Sequence, residues 1–248
     1  MRGYPGGKGN SFRHIVNQMP PHATYVELFA GMAAVLRNKR PAMRSIAIDV
    51  DPAVLATLAQ SVPPGTELEL ADAIAWLDEH GHALGPDTLI YADPPYIRET
   101  RSSGRKIYAH EFDTVEEHRA LLERLAGLGC MVAITGYRHP LYDSMLAGWR
   151  LVTFTAQSHG GQRTECLWTN YPQPTELHDY RYLGANFRER ERIKRKKLRW
   201  VAKLRRMNPL ERWALLDAIN EAWPGQQPPE TAMPAITNKS DDGHQLRN

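Results

Sequence analysis

Apolar residues recur along this chain with two periods. Short segments that are largely apolar, or alternate apolar with polar as in Glu67-Leu68-Glu69-Leu70, lie near residues 24–28, 45–49, 67–70, 88–92, 130–135, 150–155 and 165–171. Between them, residues 10–19, 32–38, 52–60, 73–80, 114–128 and 140–147 carry apolar positions three and four apart. Runs of the first kind predict buried strands and those of the second amphipathic helices. Their alternation predicts an α/β fold, a doubly wound seven-stranded and mostly parallel sheet. The last two strands are joined only by Ala156 to Arg163, a hairpin-length connection, so they are expected to be antiparallel. Local signals agree: Asp51 precedes Pro52 as an N-cap with Pro at the first helical position, and Thr114 with Glu117 reads as a capping box.

The remainder of the chain follows a different pattern. From Asn186 to Arg206 there are eleven Lys or Arg against two Glu, while Ile193, Trp200, Leu204 and Met207 share one helical stripe. The whole chain carries only +3, so everything outside this surplus of nine sums to −6. Charge concentrated on one helix of an otherwise acidic protein favours a polyanion partner, with the apolar stripe as a docking face. Asn208-Pro209-Leu210-Glu211 opens a further helix to about Trp223, and a polar, Pro-rich tail beyond Pro224 reads as disordered. The expected division is a catalytic domain over 1–174, a basic helical extension over 175–223 and a tail over 224–248.

Composition removes several classes of function. Of the 248 residues 42% are apolar and 24% charged, as in a globular domain, and no apolar run approaches transmembrane length. The start Met1-Arg2-Gly3-Tyr4-Pro5-Gly6-Gly7 does not read as a signal peptide, so a cytoplasmic protein with no membrane partner is expected. Cys130 and Cys166 fall in core strands and suggest neither a disulfide frame nor a zinc site, and the ten histidines lack metal-ligand spacing, so no metal is expected.

The candidate chemistry lies at strand ends. Asp93-Pro94-Pro95-Tyr96 follows the run Thr88 to Ala92, where a buried strand gives way to a loop. Two prolines make the chain rigid and extended, beside one carboxylate and one aromatic ring. Such a segment suits a flat amine: Asp93 and the Pro94 carbonyl accept two N–H donors while Tyr96 stacks on the heterocycle. Asp-Pro-Pro is also ordinary turn chemistry. Earlier, Val26-Glu27-Leu28-Phe29-Ala30-Gly31 reads as strand, glycine turn and helix, with a helix N-terminus facing an anionic group. A second strand ends in Asp49-Val50-Asp51, about 20 residues on, the separation of a ribose-hydroxyl acceptor in nucleoside-binding folds.

Tyr4-Pro5-Gly6-Gly7-Lys8, Glu27 to Gly31, Asp49-Val50-Asp51, Asp93 to Tyr96 and Arg163 to Tyr171 occur in this order. Over about residues 1 to 172 the chain thereby resembles the Dam-type adenine-N6 DNA methyltransferases. The resemblance implies the class I S-adenosylmethionine-dependent methyltransferase fold, S-adenosylmethionine as cofactor and DNA as partner. It implies that Asp93, Pro94, Pro95 and Tyr96 are catalytic, acting on an adenine flipped out of the duplex. It also implies cofactor contacts by Tyr4, Lys8, Glu27, Phe29, Gly31, Asp49, Asp72 and Asp93, although Asp72 is equally an N-cap for residues 73 to 79.

Two departures stand out. Ala33 occupies a position where the family commonly has a second glycine, and no target-recognition domain is inserted between Asp72 and Asp93. Candidate DNA contacts are therefore Arg98, Arg101, Arg105, Lys106 and Tyr108 in the loop after the clamp, and Arg195, Lys196, Lys197 and Arg199 on the basic helix. Without a recognition domain, a short or degenerate target is expected. The alternatives are an RNA base-amine methyltransferase and a non-catalytic DNA-binding protein on the same fold.

Overall fold

The computed structural model describes residues 9, 11–100, 112–158 and 161–224. Seven strands, β1 (Thr24–Leu28), β2 (Arg44–Asp49), β3 (Thr66–Leu70), β4 (Thr88–Ala92), β5 (Met131–Gly136), β6 (Arg150–Ser158) and β7 (Gly161–Thr169), form one sheet in the order β3-β2-β1-β4-β5-β7-β6. All neighbours are parallel except β7, which runs antiparallel to both β5 and β6. This is the class I S-adenosylmethionine-dependent methyltransferase architecture, with the antiparallel final pair expected from the short connection. Ladder pairing continues through Ser158 and Gly161, so most of the segment expected to be loop from 156 to 163 is strand.

Consecutive residues of the central strands face opposite sides. Val26, Leu28, Ile46, Ile48, Ile90 and Ala92 join one buried cluster, under helices α4 (Ala73–His80), α5 (Val115–Ala126) and α6 (Pro140–Met145). Tyr25, Ala47, Leu89 and Tyr91 join the other, under α1 (Phe12–Val16), α2 (Ala34–Asn38) and α3 (Pro52–Leu58). A sheet covered on both faces needs strands apolar in every position, which is why β4 reads Thr-Leu-Ile-Tyr-Ala and is buried throughout.

The helix signals hold where a cap is present. Asp51 and Asp72 accept backbone N–H groups at the starts of α3 and α4, and Thr114 with Glu117 completes a capping box on α5. α2 is shorter than the expected 32–38 because Ala33, at its N-cap, is left-handed with φ 45°. Five residues carry little macrodipole, so the anion-facing helix terminus expected after Gly31 is reduced to a turn.

The body also extends beyond the expected boundary at 174. Leu177, His178 and Asp179 are buried, His178 N donates to Met19 O at 3.0 Å, and Asp179 accepts from Arg40 N at 2.9 Å. Asn17 Nδ2 donates to the carbonyls of Tyr182 and Gly184. The boundary therefore moves to about residue 185. Beyond it, α7 (Phe187–Arg206) and α8 (Pro209–Ala222) have no buried residue. Among the described residues no helix is long and apolar enough to cross a membrane.

Candidate active site

In this strand order the chain leaves β1 toward β2 and β4 toward β5, so β1 and β4 flank the point where connections diverge, the usual site of ligand crevices in α/β sheets. Leu28 lies beside both Ile48 and Ala92, and Asp49 beside Leu70. Phe29, Asp49, Asp72 and Asp93 thus emerge from four adjacent strand ends on one edge. Two strand spacings separate Asp49 from Asp93, about 10 Å.

Asp93 is held by its neighbour strand. Thr135 Oγ1 donates to Asp93 Oδ1 at 2.7 Å and lies 2.9 Å from the Tyr91 hydroxyl. A threonine has one hydroxyl proton, and the carboxylate is the stronger acceptor. The proton therefore points to Asp93, and Tyr91 donates to Thr135, giving a directed chain Tyr91–Thr135–Asp93.

The Pro-Pro segment is fixed from the other side. His118, buried on α5, is 3.0 Å from Pro95 O through Nε2 and 2.7 Å from the Tyr142 hydroxyl through Nδ1. A carbonyl can only accept, so Nε2 carries the proton and Nδ1 accepts from Tyr142. Burial lowers the imidazole pKa to about 4, so the ring is neutral at ordinary pH. Tyr96, half-buried, packs on Tyr137 at 4.3 Å between ring centroids, and the Arg163 guanidinium covers Tyr137 at 5.3 Å.

The glycine turn is pinned to β2. Asp49 Oδ2 accepts from Gly31 N at 2.8 Å and Oδ1 from Asp51 N at 2.9 Å. A carboxylate offers about four lone-pair sites, so two acceptor positions remain for ligand hydroxyls. Phe29, Gly31 and Ala33 all have positive φ. The two non-glycine residues among them store backbone strain in this turn, as tight ligand loops often do. Phe29 meets Phe112 edge-on at 4.9 Å, forming an apolar wall. Asp72 is an exposed N-cap whose Oδ1 serves Ile74 N and Ala75 N. An apolar wall, a carboxylate with spare acceptor capacity and a close-approach turn fit a nucleoside-type cofactor.

Glu27 does not join them. Its Oε2 accepts from the Tyr25 hydroxyl and from Leu36 N, each at 2.8 Å, inside the core, where burial raises its pKa to about 7. The expected cofactor contact is instead the anchor that ties α2 to β1. Arg98 is likewise committed: its guanidinium donates to the buried Asp113 carboxylate at 3.0 Å, and Arg98 N donates to Asp113 O. The pair joins residues 98 and 113, on either side of the segment expected to touch DNA, and a phosphate contact by Arg98 would have to compete with it. Tyr4, Lys8, Arg101, Arg105, Lys106 and Tyr108 lie outside the described residues. Arg195, Lys196, Lys197 and Arg199 are exposed on α7, and Lys197 Nζ donates to Tyr180 O at 3.0 Å.

Sequence reasoning missed Thr135, Tyr91, His118, Tyr142 and Tyr137. Thr135 and Tyr91 had one legible signal, a hydroxyl inside an apolar strand run. The Arg163 to Tyr171 motif is mostly structural: Trp168 packs on Tyr142 at 4.8 Å, and Asn170 closes the start of β5 through Val132 N and Cys130 O. Cys130 and Cys166 are free and buried, which raises both thiol pKa values. Among the described residues no group of three or more His, Cys, Asp or Glu could hold a metal ion.

No protein-family model and no curated protein matches the chain. Solved structures do resemble it. The N-methyltransferase NodS from Bradyrhizobium japonicum is 13% identical, with 67% of this chain and all of that one covered and a TM-score of 0.47. TrmK from M. capricolum, solved with S-adenosyl-homocysteine, is 8% identical over 86% of this chain and 94% of its own, with a TM-score of 0.45. Precorrin 8w decarboxylase from Methanobacterium thermoautotrophicum is 13% identical over 68% and 94%, with a TM-score of 0.43. The fold assignment rests on the strand order rather than on these likenesses.

Proposed function

We propose that the protein transfers a methyl group from S-adenosylmethionine to the N6 amine of adenine in DNA. The observation that carries this reading is the Asp93 carboxylate, held by Thr135 at the end of β4 beside the β1–β4 divergence point and followed by a proline segment that His118 braces. Asp49 would hold the ribose diol with its remaining acceptor positions, Phe29 and Phe112 would wall the apolar part, and the Gly31 turn would lie against the methionine moiety. Asp72, Tyr4 and Lys8 would complete that site. Bound there, the cofactor supplies an electrophilic methyl on a sulfonium sulfur.

The remaining chemistry belongs to the chain. An adenine amine delocalises its lone pair into the ring and is a poor nucleophile while planar. Asp93 and the Pro94 carbonyl, accepting both N–H groups, favour the tetrahedral nitrogen as positive charge develops. Tyr96, backed by Tyr137, offers an aromatic face to a base flipped from the duplex. Rigid placement of the amine in line with the methyl supplies much of the rest. No strong base is needed, because the nitrogen becomes acidic only after transfer.

The test is transfer of labelled methyl from S-adenosylmethionine to unmethylated DNA, with RNA in parallel, followed by nucleoside analysis. N6-methyladenine in DNA is the expected product, and Asp93→Ala should abolish it while leaving the fold intact. Label only in RNA would establish the alternative substrate, and cofactor binding without transfer to either would refute catalysis on a base amine.

A further inference from the structure

The C-terminal helix pair leaves an apolar surface uncovered. α8 carries Leu210, Trp213, Leu215, Leu216 and Ile219, with Trp223 at its C-cap, and none is buried; Leu210 is 81%, Trp213 64% and Trp223 57% exposed. At 100° per residue Trp213, Leu215, Leu216, Ile219 and Trp223 share one broad side of the helix, an apolar face that normally packs against other protein. Alone in water, a helix of this length is marginal. α7 adds Leu198, Trp200 and Val201, all exposed. Monomeric proteins rarely leave contiguous apolar patches beyond a few hundred Å².

Three features identify what covers it. α8 bears Glu211, Asp217 and Glu221 against Arg212, a net of −2, which disfavours nucleic acid and anionic lipid on this helix. Residues 225–248 hold Met233, Ile236 and Leu246 as their only large apolar side chains, with three prolines, and so offer α8 little cover themselves. The acid of α8 has its complement in α7, which combines a surplus of nine positive charges with exposed apolar side chains. Met207, between the two helices, is extended, and neither helix of one chain is buried by the other.

We infer that α7 and α8 form the interface of a homodimer, α8 of each copy lying along α7 of the other about a twofold axis. Such an exchange is isologous and closed, so it makes pairs and not filaments. Covering the exposed apolar residues of both helices removes on the order of 1,000 Å² per copy, above the roughly 800 Å² per partner of a standard stable interface. The basic residues of α7 not facing α8 remain outward.

Sedimentation equilibrium of the full chain from 1 to 100 µM, which needs no substrate, tests this. A dimer is expected across most of that range at 150 mM NaCl. Trp213→Glu with Leu216→Glu should weaken it at least 100-fold without changing the thermal melt of the body, since no α8 residue is buried. Glu211→Lys with Asp217→Lys and Glu221→Lys should weaken it at least tenfold while leaving the apolar residues in place, which general stickiness would not produce. A full chain that is monomeric at 100 µM, including one that instead sediments with anionic vesicles, overturns the inference. So does a dimer indifferent to both sets of substitutions.

Discussion

Thr135→Val removes one hydroxyl from the middle of the Tyr91–Thr135–Asp93 chain and keeps the side chain's shape. Two contacts are lost at once: the donor at 2.7 Å from Asp93 Oδ1 and the acceptor at 2.9 Å from the Tyr91 hydroxyl. Losing a hydrogen bond to a charged group and one to a buried neutral donor costs about 1 to 3 kcal/mol of stability. The functional loss comes from orientation. A carboxylate no longer held from behind samples other rotamers, and we expect kcat to fall about 10- to 100-fold, equivalent to about 1.4 to 2.7 kcal/mol. Cofactor affinity should be nearly unchanged, because Asp49 lies two strands from Asp93 and is held separately, through Gly31 N and Asp51 N.

Tyr91→Phe separates the two losses. In the double variant Tyr91→Phe/Thr135→Val both ends of the inner hydrogen bond are apolar, and such paired replacements are often nearly neutral. Stability should therefore return toward wild type while kcat stays low. The assays are urea unfolding, calorimetric S-adenosylmethionine binding and initial rates of methyl transfer to DNA. If kcat recovers together with stability in the double variant, Thr135 only supports the core and the aiming argument is refuted. Wild-type turnover by Thr135→Val would refute it more directly.

His118→Ala should lower kcat with little change in cofactor affinity, and His118→Gln, which keeps a donor near Nε2, should recover part of it; equal loss in both would reduce His118 to packing. Burial lowers the pKa of His118 and His178 to about 4 and of His22 to about 2, against 6.5 when unfolded, so their contribution is complete above about pH 6.5 and is lost as pH falls toward 4. Glu27, raised to about 7, acts in the opposite sense between 4.5 and 7, so three histidines against one glutamate should leave urea stability dropping by roughly 1 to 3 kcal/mol for each pH unit of acidification through pH 5.5. A flat profile there would contradict these burials. Replacing Arg195, Lys196, Lys197 and Arg199 by Gln should flatten the plot of log DNA affinity against log salt by up to about 3.6, at about 0.9 per phosphate contact. An unchanged slope in fluorescence anisotropy would remove α7 from the DNA interface.

What was legible in the sequence was whatever local rules control. The strands of a sheet buried on both faces must be apolar at every position, so β1, β4 and β5 could be placed closely, and Asp51, Asp72 and Thr114 announce their helices by cap chemistry. The strand-end residues Asp49 and Asp93 follow from those placements. The misplaced roles, by contrast, depend on nonlocal partners. Nothing near Glu27 in sequence reveals that its carboxylate meets Leu36 N, nor does Arg98 reveal Asp113 across the intervening loop. His118 looks like one more polar position on α5 until the fold brings it to Pro95. The α2 start moved because a left-handed Ala33 is a backbone state that side-chain periodicity does not encode.

The arrangement bears on how DNA would be recognised. Between Leu70 and Thr88 the chain spends its residues on α4, a single turn of 3-10 helix and the return into β4, all packed as part of the fold, so no reading head stands there. Next to the clamp, Arg98 and Asp113 mark the two ends of a short stretch of chain and are joined by an ion pair. Fifteen positions separate those ends, few enough that only a short stretch of bases could be contacted from them. The strongest positive charge lies instead on α7, whose long cationic side chains suit phosphates, and phosphate contacts position a protein without reading sequence. Affinity and readout would then be supplied by separate parts of the chain, with α7 gripping the backbone and the Arg98–Asp113 stretch beside Tyr96 meeting the bases. If DNA is the substrate, a target with few specified positions would follow from that division of labour.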